Sequence, residues 1–330
     1  YRNKMEFTFG AEEGGVICGL HRRGRKRSIL PVKECLISFP ETGVILEAIT
    51  TLARQSGRPA YDPYRHQGFW RNLVIREGKF TGDLLINLVT SSSGELDQAG
   101  LFSALNRVLP EGRITSLIHT VNDSISNAVI PEQWEVLQGN PFLEERIAGL
   151  TFQIPPFSFF QVNPAMMEIF YRELKEILRL RGRERILDLF SGCGAIGLVL
   201  SRPADSILGI EIEPEAVQTA YLNARRNGIG NLSFRSGKVA RVLAENRGDW
   251  PGRFDLVIVN PPRSGISSKI ARRLLELEAD RIVYSSCNPE TFFPQVGLLE
   301  SRYRPVVLQP FDFFPHTPHL EMLAIFEKKG

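Results

Sequence analysis

A chain of 330 residues that is 43% hydrophobic and 23% charged has the make-up of an ordinary globular protein, long enough for two domains with real cores. Disordered and fibrous classes are excluded, no apolar run reaches the length of a membrane helix, and Tyr1-Arg2-Asn3-Lys4 is not a secretory signal, so a cytoplasmic protein with no membrane partner is expected. A net charge of +3 does not by itself announce nucleic acid, and four scattered cysteines are too few for a disulfide framework.

The chain starts without a methionine inside a strand-like run, Asn3 to Phe9, which reads as a fragment of a longer protein. Up to about Leu150 the pattern is short strands and turns: Lys4–Phe9, Gly15–His21, a hairpin of Asn72–Glu77 and Asp83–Thr90 across Gly78 and Gly82, and Ile114–Val121. One helical stretch, Gly94 to Val108, interrupts them. This predicts a mixed, mostly antiparallel α+β domain over residues 1–157. Within it, His21-Arg22-Arg23-Gly24-Arg25-Lys26-Arg27 is a compact basic block that suits RNA phosphates as well as a solvated loop tip.

The aromatic, proline-punctuated segment Phe152 to Phe160 marks a junction, followed by a helix that Asn163 can cap with Pro164 in its first turn. From residue 158 the rhythm alternates strand and helix: Arg185–Phe190, Ser206–Ile212, Leu232–Arg235, Asp255–Val259 and Arg281–Ser285 are strands, with helices from Ala195, Pro214, Ser267 and Pro289. Two last strands, Arg304–Gln309 and Leu320–Glu327, close the chain. The pattern predicts a doubly wound, Rossmann-like α/β domain over 158–330.

Asp188-Leu189-Phe190-Ser191-Gly192-Cys193-Gly194-Ala195-Ile196-Gly197 fills the turn after the first of these strands. Its letters satisfy G-x-G-x-x-G, and Glu211 ends the next strand where a ribose-binding acid would stand, so an NAD(P)-dependent oxidoreductase competes. Against it, Asp188 would turn a negative charge toward a pyrophosphate but suits a cationic or amino-bearing ligand. The turn also stretches over Phe190 and Ser191, and the paired final strands suit an S-adenosylmethionine-dependent methyltransferase. Downstream, Cys287 ends an apolar strand, which makes it a candidate nucleophile, with a buried structural thiol as the alternative.

Five motifs in order, Phe159-Phe160-Gln161-Val162-Asn163, the Asp188 to Gly197 turn, Asn260-Pro261-Pro262-Arg263, Ser285-Ser286-Cys287-Asn288-Pro289 and Asp312 to Glu321, together resemble the RNA uracil-5-methyltransferases. The resemblance implies a catalytic domain that binds S-adenosyl-L-methionine through Gln161, Phe190, Ser191, Gly192, Ala195, Glu211 and Asn260. It implies Cys287 as the thiolate that adds to carbon-6 of uracil, and Glu321 as the base that removes the carbon-5 proton. The family usually has aspartate where this chain has Asn260, which keeps the hydrogen-bonding shape without the charge. Cys35 resembles the fourth ligand of a 4Fe-4S cluster whose other three cysteines would precede this sequence. The expected partner is RNA, ribosomal (23S) ahead of transfer RNA, handled by a monomer; a tRNA 5-methyluridine methyltransferase is the first alternative and a non-catalytic RNA-binding relative another.

Overall fold

A computed structural model describes the chain apart from residues 14, 126–128, 130, 246–249 and 251 and the side chains of Lys26 and Arg27. The last two side chains of the basic block thus lie outside the described residues. Two compact units are present, Tyr1–Arg146 with Phe152–Phe157, and Ile147–Thr151 with Ser158–Gly330.

The first unit runs β1 (Lys4–Glu12), β2 (Gly15–Arg22), β3 (Arg25–Pro31), α1 (Thr42–Gln55), β4 (Trp70–Glu77), β5 (Leu84–Thr90), α2 (Gln98–Asn106), β6 (Ser116–Val121) and β7 (Gln133–Gly139). The strands form one sheet in the order β3-β2-β1-β4-β5-β6-β7. Because side chains alternate across a strand, Met5, Phe7 and Phe9 point to one face, where they join Ile45, Ile49 and Leu52 of α1 and Leu101 and Leu105 of α2 in a common core. The opposite face is polar yet buried, with Asn72, Arg76, Asn87 and Thr120 all at most 5% exposed.

Several features depart from the expectation, among them strands β3 and β7, which were not foreseen. Helix α1 was not foreseen: its Val44, Ile45, Thr50 and Thr51 are β-branched and dull the helical signal, although Ile45, Ile49, Leu52 and Ala53 are buried at helical spacing. Helix α2 begins at Gln98 rather than Gly94, because Asp97 caps it by accepting from Gly100 N at 2.9 Å. Strands β5 and β6 pair in parallel, since α2 crosses between them. A short two-stranded sheet of β8 (Leu143–Ile147) and β9 (Leu150–Ile154) comes next along the chain.

The second unit continues with α3 (Pro164–Leu178), β10 (Arg185–Leu189), α4 (Ala195–Leu200), β11 (Ser206–Glu211), α5 (Pro214–Arg226), β12 (Leu232–Ser236), α6 (Val239–Glu245), β13 (Leu256–Val259), α7 (Ser268–Leu277), β14 (Arg281–Ser286), α8 (Pro289–Gly297), β15 (Tyr303–Phe311) and β16 (Glu321–Lys328). Its sheet has the order β12-β11-β10-β13-β14-β16-β15, parallel through β14, with β16 and β15 antiparallel. Leu187, Leu189, Val257, Ile282 and Tyr284 face a core shared with Val242 of α6, Leu274 of α7 and Phe292 of α8. The alternating residues Asp188, Gly209, Ser285 and Glu321 therefore face the other side of the sheet. There Gly197 of α4 sits so close that a Cβ on it would lie 3.3 Å from Asp188 Oδ2. The doubly wound expectation holds, with α6 as an additional short helix.

Candidate active site

In open α/β sheets, ligands settle outside the carboxyl ends of the parallel strands. The residues singled out in the sequence converge on that edge of the second unit: Phe190 to Ala195 follow β10, Glu211 ends β11, Asn260 follows β13 and Cys287 follows β14. Strand β16 runs the opposite way, so its first residue, Glu321, arrives at the same edge one pair beyond Ser286 and Met322.

The turn after β10 is held in an unusual backbone form. Phe190 has φ 62°, a region few non-glycine residues enter, and Gly192 and Gly194 follow at φ 55° and 78°. Glu211 clamps the turn: one carboxylate oxygen accepts from Gly192 N at 2.8 Å, the other from Ile212 N at 2.7 Å and Glu213 N at 3.0 Å. A Cβ on Gly192 would meet nothing within 4 Å, so the turn opens onto free space. Beneath it are three buried polar atoms without hydrogen-bond partners, both carboxylate oxygens of Asp188 and Ser191 Oγ. Burial raises the Asp188 pKa to about 7, tempered by the Gly197 N–H turned toward it and reinforced by Glu211. A buried carboxylate with nothing to pair is a site for a donor-bearing, cationic group, and S-adenosylmethionine carries both an ammonium and a sulfonium. The residues fit that cofactor better than a pyrophosphate.

Around Cys287 the groups form a second set. Glu321 is 3% exposed, one oxygen accepts from Ser285 Oγ at 2.5 Å, and Oε2 is buried and unpaired. Burial lifts its pKa to about 7, and the Ser285 hydrogen bond restrains the rise. Half-buried Cys287 has its thiol pushed up by burial and then by Glu321, while the Arg263 guanidinium opposes both by charge and hydrogen bonding. Tyr171 of α3 is buried on the same side; after burial itself, Cys193, Asp188 and Glu321 are what push its phenol up. One phenol thus lies within the field of both carboxylates.

Neighbouring turns are stitched together. Arg263 O accepts from Asn288 Nδ2 at 3.3 Å and Thr291 Oγ1 at 3.2 Å, which ties the Asn260–Arg263 turn to the start of α8. Gln295 of α8 holds the Ser264–Ile266 segment: its Oε1 accepts from Ile266 N at 3.0 Å and from Tyr284 OH, and its Nε2 donates to Ser264 O at 3.3 Å. Asn260 N donates to Leu189 O at 3.4 Å, joining the Asn260–Arg263 turn to β10. Asn163 caps α3 by accepting from Met166 N at 3.2 Å and donates to Phe313 O at 3.1 Å, tying the start of α3 to the Asp312–Glu321 segment; Gln161, two residues earlier in the chain, is half-buried.

Other candidates fall elsewhere. Phe157 packs edge-on against Trp134 at 5.7 Å within the first unit, whereas Phe159 is 76% exposed. His316 and His319 are exposed, and no group of three or more His, Cys, Asp or Glu among the described residues could hold a metal. Cys35 packs at the margin of the first unit's core, and Cys18 is buried within it. Cys18 and Cys35 alone do not make a four-cysteine set, so a cluster at Cys35 would need ligands outside this sequence. Sequence reasoning gave no role to Ser285, Arg263 or Tyr171. The first owes its place to its register beside β16, the second stands in the Asn-Pro-Pro-Arg motif, and Tyr171 showed only as one more apolar position on α3.

Comparison with known proteins adds four similarities. The profile of the tRNA (uracil-5-)-methyltransferase family matches residues 143–329. An uncharacterized RNA methyltransferase of Caldanaerobacter subterraneus is 37% identical over 99% of this chain and 72% of its own length, and one of Halalkalibacterium halodurans is 33% identical over 100% and 71%. The crystal structure of the Pyrococcus abyssi tRNA (uracil-54, C5)-methyltransferase in complex with S-adenosyl-L-homocysteine superposes with a TM-score of 0.81 at 28% identity, over 98% of this chain and 75% of that one.

Proposed function

The chain belongs to the tRNA (uracil-5-)-methyltransferase family of S-adenosylmethionine-dependent RNA methyltransferases, and we propose that it converts a uridine to 5-methyluridine through a covalent adduct at Cys287. What supports this reading most is the meeting of a half-buried thiol, a cation and a buried carboxylate at one strand edge, in Cys287, Arg263 and Glu321.

Carbon-5 of uracil is a weak nucleophile, and attack of a thiolate on carbon-6 turns the ring into an enolate with charge at carbon-5. Cys287 provides the sulfur, and Arg263 favours its ionised form against burial and the Glu321 charge. Bound S-adenosylmethionine supplies an electrophilic methyl group. Asp188 and Ser191, with unpaired polar atoms below the turn, and Glu211, which fixes that turn, hold it; Phe190, Gly192, Ala195 and Gln161 line its place. Asn260 offers both a donor and an acceptor to the pyrimidine edge without adding negative charge beside the thiolate. Once the methyl is on carbon-5, Glu321 takes the remaining carbon-5 proton on its unpaired Oε2, and the ring expels the Cys287 thiolate. A base inside a folded RNA has to be flipped out of its stack to reach these groups.

The first unit, with Arg22, Arg23 and Arg25 exposed at the β2–β3 turn, holds the RNA backbone. Ribosomal RNA is the substrate we favour, from the resemblance of that unit to the ribosomal branch of the family; the likeness to the Pyrococcus abyssi tRNA enzyme supports transfer RNA as the second reading. The reaction belongs in the cytoplasm, which four free thiols suit. Mapping 5-methyluridine in the ribosomal and transfer RNA of a strain lacking the gene tests the proposal. Loss of one ribosomal 5-methyluridine supports it, loss from transfer RNA moves the substrate, and no loss from either pool overturns it.

A further inference from the structure

The polar face of the first unit's sheet carries a cleft of about 400 Å³, bounded by Thr8, His21 and Asn72 on one side and by the turn from Ala60 to Arg65 on the other. That volume accommodates one nucleotide. The sheet side is a connected donor and acceptor row: Asn72 Nδ2 donates to Thr8 Oγ1 at 3.4 Å, and Thr8 Oγ1 lies 3.2 Å from His21 Nε2. The facing turn is rigid, since Asp62 Oδ1 accepts from Tyr64 N at 2.8 Å and Arg65 N at 3.3 Å, and Asp62 O accepts from His66 N at 2.8 Å. Beneath the cleft, the buried guanidinium of Arg71 stacks 3.9 Å from the Tyr61 ring centre while donating to Asn122 O at 2.7 Å and Ser124 O at 2.9 Å, so the aromatic wall is braced before any ligand arrives.

Two exposed features border this space. Tyr64 is 56% exposed, and among the described residues Arg65 beside it, with its side chain 82% exposed, makes only a long 3.9 Å solvent-exposed ion pair with Asp62, which phosphate can displace. Beyond His21 on the opposite wall, the tip of the β2–β3 hairpin carries Arg22 at the end of β2, Arg23 in the turn and Arg25 at the start of β3, all exposed and none ion-paired among the described residues. An exposed tyrosine at a polar cleft, with a hairpin tip of unpaired arginines following one of its walls in the chain, matches a single-stranded nucleic acid: phosphates on the cations, a base on the ring. An acidic peptide would use the arginines and leave the ring and the polar floor idle.

We propose that this cleft binds a single-stranded nucleotide of the substrate RNA other than the uridine that is methylated, its base stacked on Tyr64 and its flanking phosphates on Arg22, Arg23, Arg25 and Arg65. The assignment rests on the reading of the substrate as RNA. All its residues belong to the first unit, whereas Cys287 and Glu321 belong to the second, so the cleft selects RNA by a contact chemically separate from the reacting base. Stacking tolerates any base, so the cleft recognises an unpaired position rather than a letter.

The test uses the full chain and a single-stranded oligouridylate carrying 4-thiouridine as a photo-cross-linking probe. Cross-links are expected in the peptide that contains Tyr64. Tyr64→Ala should weaken probe binding about 5- to 100-fold, with Tyr64→Phe restoring it. Joint replacement of Arg22, Arg23 and Arg25 by alanine should flatten the salt dependence by about 2 to 3 in slope. An unchanged circular dichroism spectrum and a thermal melt that matches the original protein report that each variant is folded. Absence of cross-links at Tyr64, unchanged affinity in Tyr64→Ala, or displacement of the probe by polyglutamate as readily as by RNA overturns the proposal. Methylation is scored in parallel: methyl transfer with no effect of Tyr64→Ala removes the cleft and leaves uridine methylation standing, and cross-linking at Tyr64 without methyl transfer does the reverse.

Discussion

Ser285 donates its hydroxyl hydrogen bond to Glu321 across the β14–β16 pairing at 2.5 Å, and the second carboxylate oxygen of Glu321 is left buried without a partner. The bond steadies the ionised form of a carboxylate that burial has lifted to about 7, and it fixes which oxygen is open. A base with that pKa is half-ionised near neutral pH, where it can both take a proton and release it to water.

Removing the serine hydroxyl withdraws a bond that favours the charged form, so Ser285→Ala raises the Glu321 pKa further. The acid limb of the kcat profile, set by ionisation of Glu321 near pH 7, should move to higher pH, with the plateau at alkaline pH largely retained. A pH series of single-turnover rates for both proteins checks this; an unmoved limb would detach Ser285 from the base.

In Glu321→Gln the methyl can still be transferred while the carbon-5 proton cannot be removed. Turnover should fall about 100-fold or more, and a methylated RNA joined to Cys287 should accumulate. A denaturing gel with labelled RNA shows the joined species. Turnover at the original rate would exclude this carboxylate as the base.

The same carboxylate has a stability signature. Its folded pKa of about 7 lies above the ordinary 4.5, so the folded state is favoured while the group is neutral, and that contribution is lost as pH rises from about 4.5 through about 7. Asp188, raised from 3.8 to about 7, adds a loss of the same sign over a window that begins near pH 3.8. Glu321→Gln, which cannot ionise, should therefore be more stable than the original at pH 8, by on the order of 3 kcal/mol, and no more stable at pH 4. Denaturant melts at the two values measure it, and an equal effect at both would refute the linkage.

Among the described residues, Arg263 is the group whose side chain draws the Cys287 thiol toward ionisation. Arg263→Ala should slow alkylation of Cys287 by iodoacetamide at neutral pH about 3- to 10-fold, with Arg263→Lys falling between. Equal alkylation rates in all three proteins would show that the guanidinium does not set the thiolate fraction.

Much of the second unit was legible because local signals agreed: Asn163 before Pro164 starts α3, glycines mark the turn after β10, and apolar runs alternate with helical ones. The motif residues could be brought to one edge on topology alone, since parallel strands share their carboxyl ends. Pairing across the sheet could not be read. That Ser285 lies opposite Leu323, and so beside Glu321, depends on an antiparallel register 36 residues apart that no local pattern encodes. Tyr171 was hidden for a different reason, since a tyrosine on the buried stripe of a helix has the periodicity of core packing whatever its hydroxyl meets. In the first unit, β-branched residues masked α1, and the cleft beside Tyr64 joins residues from β1, β2 and a turn about fifty positions later.

The most direct test of the central claim is exposure of the protein to RNA containing 5-fluorouridine in the presence of S-adenosylmethionine, with the products digested and the modified peptide identified by mass spectrometry. Fluorine at carbon-5 cannot leave as a proton, so the adduct persists once formed. The account predicts a denaturation-resistant RNA–protein species in which 5-methylated fluorouridine is joined through carbon-6 to the peptide that contains Cys287, and its loss in Cys287→Ala. No adduct at all, or an adduct undiminished in Cys287→Ala, would contradict it.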